Sequence, residues 1–249
     1  MLIDVHSHLD FEQFDNDREE IIENAKKENC YMITCAVGPK SIGKTLEILE
    51  NHDNVFATFG SMPEEFNNDT IEETIKLIRK NKDKIVGIGE VGLDYYWVKE
   101  DDKRELEKEN FQKFISLAKE LSLPLVIHSR DAEKDVMEIL KKENVKAMLH
   151  CFSGSVELAK DAISFGCIIS VPTNITYSKQ KRALVKEIPL ESIVLETDAP
   201  FLSPVPKTRN EPRNVKISAE KIAEIKKISF REVAETTAKN AVEFFNLKL

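Results

Sequence analysis

No run of about 18 consecutive apolar residues occurs in the 249-residue chain, so no membrane-spanning helix is expected. The start, Met1-Leu2-Ile3-Asp4, has neither a basic stretch nor an apolar one of signal-peptide length, so no secretory leader is expected. Cysteine is sparse. Cys30, Cys35, Cys151 and Cys167 stand singly in apolar segments with no Cys-x-x-Cys pair. They read as reduced core residues of a cytoplasmic protein, not as a disulfide frame. No Gly-x-Gly-x-x-Gly follows the first apolar segment, which argues against a dinucleotide-binding open sheet. Net positive charge is missing too. Lys and Arg number 36 against 44 Asp and Glu, a balance of -8. That argues against a broad basic surface gripping duplex DNA by charge alone. A polyanion can still sit in a local cleft that metal ions make positive. No repeat, low-complexity stretch or linker divides the chain. Residues 1–249 therefore read as a single domain, and 41% hydrophobic content suffices for one sizeable core.

What the chain does have is alternation. Short apolar segments alternate with amphipathic charged ones from end to end. The pattern predicts strands over 2–8, 31–37, 55–59, 85–90, 125–128, 147–150, 167–171 and 193–196. Helices are predicted near 17–28, from an N-cap at Ser41 to about Asn51, and from Thr70 through Ile71, Ile75 and Ile78. Further helices are predicted near 103–121, 132–142, from Ser155 to before Gly166, and over 179–187, 215–227 and 230–245, with Ser229 as an N-cap. Gly87 and Gly89 are expected to relieve crowding inside the fourth strand, with Gly92 and Asp94 in the turn after it. Eight strand–helix units in this length predict an α/β fold closed as a (β/α)8 TIM barrel. A doubly wound open sheet is the alternative. The longest irregular stretch, Pro200–Asn214, follows the last strand and is expected to be functional.

Ligand-type residues close the predicted strands. His6 and His8 are two apart in the first strand, so both point to one face. Glu90, His128, His150 and Asp198 end the fourth, fifth, sixth and eighth. In a barrel all strand C-termini meet at one face, where active sites lie. Six ligand groups are too many for one tetrahedral catalytic site. They suit two divalent ions sharing a bridge, for which Glu90 is the best candidate. His6, His8 and Asp198 are assigned to one ion, His128 and His150 to the other. Asp198 is also placed to hold or deprotonate the attacking water, so Glu90 and Asp198 are the candidate catalytic pair. Mixed His and carboxylate ligation suits Zn, Mn or Mg. Arg130 emerges on the same face as His128. Arg209 and Arg213 flank Asn210-Glu211-Pro212, with Lys207 nearby. Arg forks match phosphate oxygens. Phe11, Phe14, Tyr95, Tyr96 and Trp97 either stack on unpaired bases or pack as loop anchors.

The segments Leu2–Asp10, Pro124–Ala132 and Leu195–Leu202 resemble three motifs of the TatD family of metal-dependent deoxyribonucleases. Glu90–Tyr95, His150–Gly154 and Arg209–Pro212 also match, in the right order along nearly the whole chain. The resemblance implies an amidohydrolase-like barrel, a two-metal site on the six ligands, and hydrolysis of DNA phosphodiesters. Some members are similar to 3′→5′ exonucleases on single strands, so single-stranded or frayed DNA ends are the implied substrate. Others are linked to D-aminoacyl-tRNA deacylation. That leaves an ester or amide hydrolase as the competing reading, and a dead barrel that only binds nucleic acid as a third. No obligate protein partner is implied. Two residues depart from the pattern. Val5 replaces a small residue. Met62, in Gly60-Ser61-Met62-Pro63, stands where the family has Gly-x-His-Pro, and its position is expected to face the site. Met62 and Ser153 join Arg130 and Arg209 as candidate substrate-side residues.

Overall fold

A computed structural model describes residues 1–249. Eight strands form a closed parallel barrel in sequence order. They are β1 (Leu2–Ser7), β2 (Cys30–Val37), β3 (Val55–Gly60), β4 (Gly87–Asp94), β5 (Leu125–Arg130), β6 (Ala147–Leu149), β7 (Ile168–Val171) and β8 (Ile193–Leu195). Seven helices join or follow them: α1 (Arg18–Lys27), α2 (Pro39–Asn51), α3 (Asn68–Lys80), α4 (Asp101–Leu121), α5 (Glu133–Glu143), α6 (Val156–Ser164) and α7 (Lys179–Glu187). Two more, α8 (Val215–Lys226) and α9 (Phe230–Phe245), end the chain. The strands read as near-continuous apolar runs because both of their faces are covered. Ile3, Val5, Ile33, Val126, Met148, Ile168 and Val194 pack in one cluster with Ala238, Ala241, Phe244 and Phe245 of α9. Asn240 of α9 also donates to the Ile193 carbonyl, at the start of β8, at 2.7 Å. The last helix therefore plugs the N-terminal end of the barrel, leaving the C-terminal end open. No helix is long and apolar enough to cross a membrane.

The expected barrel is present, and three local expectations are corrected. Ser41 does not cap α2, which starts at Pro39 behind Gly38. Proline fits the first helical position, where its missing N–H is no loss. Ser41 Oγ instead donates to Asp10 Oδ2 at 2.6 Å and accepts from the Val37 N–H at 3.0 Å. The helix predicted from Thr70 begins at Asn68, where the Asn67 side chain accepts from the Asp69 N–H. Finally, β4 does not stop at Glu90 but runs to Asp94. Gly92 is a strand residue, not a turn residue. Its φ is +147°, and a Cβ there would lie 2.0 Å from the His128 carbonyl oxygen. Only glycine permits that approach of β4 to β5. Gly89 meets Val126 in the same way, at 2.5 Å, as the crowding argument expected.

The seam between β1 and β8 has one register pair, Asp4 with Leu195. Side chains and loops complete it. Asp4 accepts from the Thr197 N–H at 2.8 Å and from its hydroxyl at 2.6 Å. The Asp198 N–H donates to the His6 carbonyl at 2.9 Å, and the His8 N–H to the Ala199 carbonyl at 2.7 Å.

Candidate metal centre

The barrel brings all six predicted ligands to its open end. His6 lies in β1 and His8 one residue beyond it. Glu90 sits in the middle of β4, His128 near the end of β5, His150 just after β6, and Asp198 in the turn after β8. Asp198 takes a left-handed φ of 56°, a conformation that Asp tolerates better than most residues. Glu90 faces the histidines with two different oxygens. Its Oε2 lies 3.4 Å from His6 Nε2 and 3.8 Å from His8 Nε2. Its Oε1 lies 2.5 Å from His128 Nδ1 and 3.9 Å from His150 Nε2. Asp198 Oδ1 is 3.6 Å from His6 Nε2 and 3.5 Å from His8 Nε2.

These separations fit donors that share an ion. Ligands about 2.1 Å from a tetrahedral centre are about 3.4 Å from one another. His6 supplies an independent test. It is fully buried and neither ring nitrogen has a hydrogen-bond partner. A buried polar group is normally satisfied, so an orphaned imidazole among carboxylates fits the role of a metal ligand.

Two histidines are backed by a second carboxylate. His150 Nδ1 lies 2.7 Å from Glu196 Oε2, and Glu196 also accepts from Ser170 Oγ and the Cys151 N–H. His128 Nε2 lies 2.8 Å from Asp94 Oδ2, and Asp94 Oδ1 accepts from the Tyr96 and Trp97 N–H groups. Such partners fix ring orientation and raise ligand basicity. Burial alone would depress both imidazoles. Glu90 and Asp94 overcome it and carry His128 up to about 10. Glu196 and Glu90 carry His150 up to about 9. Burial wins at His6, which is held below its ordinary value. Glu90 is fully buried, yet His150 and His128 hold its carboxyl well below the usual range. Asp198 is likewise held down against burial, chiefly by His8.

Sequence reasoning missed Asp94, Glu196 and Lys181. Asp94 was read as a turn residue, although it lies four after Glu90 and shares a strand face with it. Glu196 is two before Asp198, in the segment read only for its aspartate. Lys181 of α7 carried no signal. Its buried ammonium donates to the Cys151 carbonyl at 2.7 Å, the Phe152 carbonyl at 2.5 Å and Ser153 Oγ at 3.2 Å.

A cavity of about 320 Å3 opens beside His128, His150 and Asp198, with Arg130, Ser153 and Lys181 in its wall. Arg130 stands 3.7 Å over the Tyr96 ring. Two substrate-side expectations are corrected. Met62 does not line this cavity. It is 39% exposed and borders a separate narrow cleft with Ser61, Gly92, Glu107 and Asn110. Arg209 is spent on the fold. Its fork grips Asp17 at 2.9 and 2.5 Å and donates to the Gln13 carbonyl at 2.7 Å. Its loop neighbours, Asn210 and Arg213, also tie the loop. Asn210 is buried and donates to Thr173 Oγ1 and the Thr197 carbonyl, while Arg213 pairs with Glu211. The aromatics divide. Phe14 is core, and Tyr95 donates to Asp135 at 2.7 Å. Phe11 stacks on His8 with centroids 4.6 Å apart, and Tyr96 and Trp97 are 43% and 64% exposed.

Comparison with known proteins gives the family. The family model for TatD-related DNases matches residues 3–246. The chain is 40% identical to an uncharacterised metal-dependent hydrolase of Bacillus subtilis, YabD, over 99% of this chain and 100% of that protein. It is 36% identical to the human deoxyribonuclease TATDN3, over 98% of this chain and 94% of that protein. Its fold is similar to the crystal structure of YjjV, a TatD homologue from Escherichia coli. The TM-score is 0.92 at 27% identity, over 99% of this chain and 98% of the other. The chain with Glu90 at the centre of its barrel is thus a metal-dependent hydrolase and belongs to the TatD-related DNase family.

Proposed function

We propose that this chain hydrolyses phosphodiester bonds in DNA, with two divalent ions divided by Glu90. One observation carries the reading: the two oxygens of Glu90 face different histidine pairs, His6 with His8 and His128 with His150. His6, His8 and Asp198 would hold one ion, His128 and His150 the other, with Glu90 shared. Bound divalent ions supply Lewis acidity to a phosphoryl oxygen and make water a nucleophile near neutral pH.

The remaining work falls to side chains. Asp198 lines the cavity and stays ionised, so it accepts the proton that the attacking water loses. Arg130, on the same wall, binds the phosphate as a charge-assisted donor, with Tyr96 packed beneath its guanidinium. Lys181 holds the turn that presents the Ser153 hydroxyl. The exposed rings of Tyr96 and Trp97 provide stacking faces for unpaired bases, which favours single-stranded or frayed ends. The human relative is named a deoxyribonuclease, which supports DNA over other phosphodiesters.

The test is incubation of metal-loaded protein with end-labelled single-stranded and duplex DNA, with a chelator control. Cleavage of single strands, lost with chelator and reduced about a hundred- to ten-thousandfold in Asp198→Asn, is expected. Absence of DNA cleavage together with turnover of an aminoacyl ester would move the reading to ester hydrolysis.

A further inference from the structure

Cys35 is used by nothing described so far. It lies in β2, is fully buried, and has no disulfide partner. Its neighbours are the centre itself. Cys35 Sγ and a ring nitrogen each of His6 and His8 lie within 4.8 Å of one another. The Glu90 N–H donates to the sulfur at 2.8 Å. The Cys35 carbonyl lies 3.1 Å from His8 Nδ1, which fixes the orientation of that ring. The same ring set contains His6, buried and without a partner on either nitrogen. The carbonyl contact would form with any residue at this position; the sulfur itself is placed by the Glu90 N–H and by its nearness to the two imidazoles.

We infer that Cys35 is an additional donor to the ion held by His6 and His8, a thiolate at the floor of the site that selects zinc or cobalt over magnesium. The inference rests on His6 and His8 holding an ion. On binding, the S–H bond breaks, a sulfur–metal bond forms, and the proton leaves to buffer. No redox change is involved. Thiolate is a soft ligand suited to zinc, whereas magnesium takes oxygen donors. The Glu90 N–H pointing at the sulfur supports negative charge there.

Cobalt binding reads the sulfur directly. The unmodified protein should take up cobalt with an intense near-ultraviolet sulfur-to-cobalt charge-transfer band. That band should persist in Cys151→Ser, which removes the other cysteine next to a ligand, and vanish in Cys35→Ser while cobalt still binds. Zinc affinity in Cys35→Ser should fall by roughly tenfold or more, with magnesium unchanged. Because Cys35→Ser can fail to fold, bound cadmium in the unmodified protein gives a second reading, a sulfur-shifted NMR resonance. Bound cobalt without the band, or a band lost in Cys151→Ser instead, overturns the assignment while leaving the six-ligand centre standing. Failure to bind cobalt at all overturns the His6 and His8 reading, and this inference with it.

Discussion

His128 and His150 are each pressed between carboxylates, and that sets how the ion-free protein responds to pH. Their imidazoles are raised from 6.5 to about 10 and about 9 in the folded chain. A raised folded value means that their charged form contributes stability fully present below the unfolded value. That stability is lost as pH rises through about 9 to 10. Chelator-treated protein should therefore lose thermal stability over this alkaline window. Metal-loaded protein, whose ligating imidazoles are already neutral, should not. A melting series across pH with and without chelator checks this, and identical curves would reject the protonated pairs. Glu196 is the residue to remove next. Glu196→Gln keeps the shape but removes the charge behind His150, and should weaken metal binding about ten- to a hundredfold. Titration with zinc, read against an unchanged far-ultraviolet spectrum, tests it.

At the scale of elements, the tight approach of β4 to β5 carries Glu90 and His128 together. Gly92→Ala would put a Cβ within 2.0 Å of the backbone of His128. Overpacking of this kind costs about 1–3 kcal/mol, more where only backbone can yield. The expected outcome is a lowered melting temperature with a still larger loss of metal affinity. Retention of full metal affinity would show that the two strands move as one. The Pro200–Asn214 loop behaves differently. Arg209 pairs with Asp17 at a partly exposed site, so Arg209→Ala should cost about 1 kcal/mol or less and leave DNA affinity unchanged. Arg130→Ala should weaken DNA binding by roughly tenfold or more, since contacts of a charged group are worth about 1.5–3 kcal/mol. Binding isotherms on both variants separate the two roles. Strand and helix order was legible because buried parallel strands and amphipathic helices differ in period. The true end of β4 was not, because Gly92 looks like a turn until the carbonyl of His128 is placed beside it. The role of Arg209 was hidden for a similar reason: its partner Asp17 is 192 residues away in sequence.

For the whole molecule, the six candidate ligands were legible together because the barrel topology sends every strand end to one rim. Any of them alone carried little. The residues that support them, Asp94 and Glu196, were less so, since nothing local separates an acid behind a ligand from an acid in a turn. The chain carries a net charge of -8, so its grip on DNA should rest on few cationic contacts around the cavity. Affinity for single strands should then fall with salt on a shallow slope that Arg130→Ala reduces by about one. A steep slope would point to a basic surface that this structure does not display.

The seam between β1 and β8 also orders events in time. His6 and His8 are among the first residues a ribosome delivers, and Asp198 arrives only after all eight strands have been made. Until then the Thr197 donors to the Asp4 carboxylate and the Asp198 N–H that meets the His6 carbonyl do not exist. Chains are synthesised at about 5–20 residues per second. The early histidines therefore wait on the order of ten seconds or more before a complete centre can form. A centre that used all six candidate ligands could close only after the eighth strand, so its completion would mark a finished barrel.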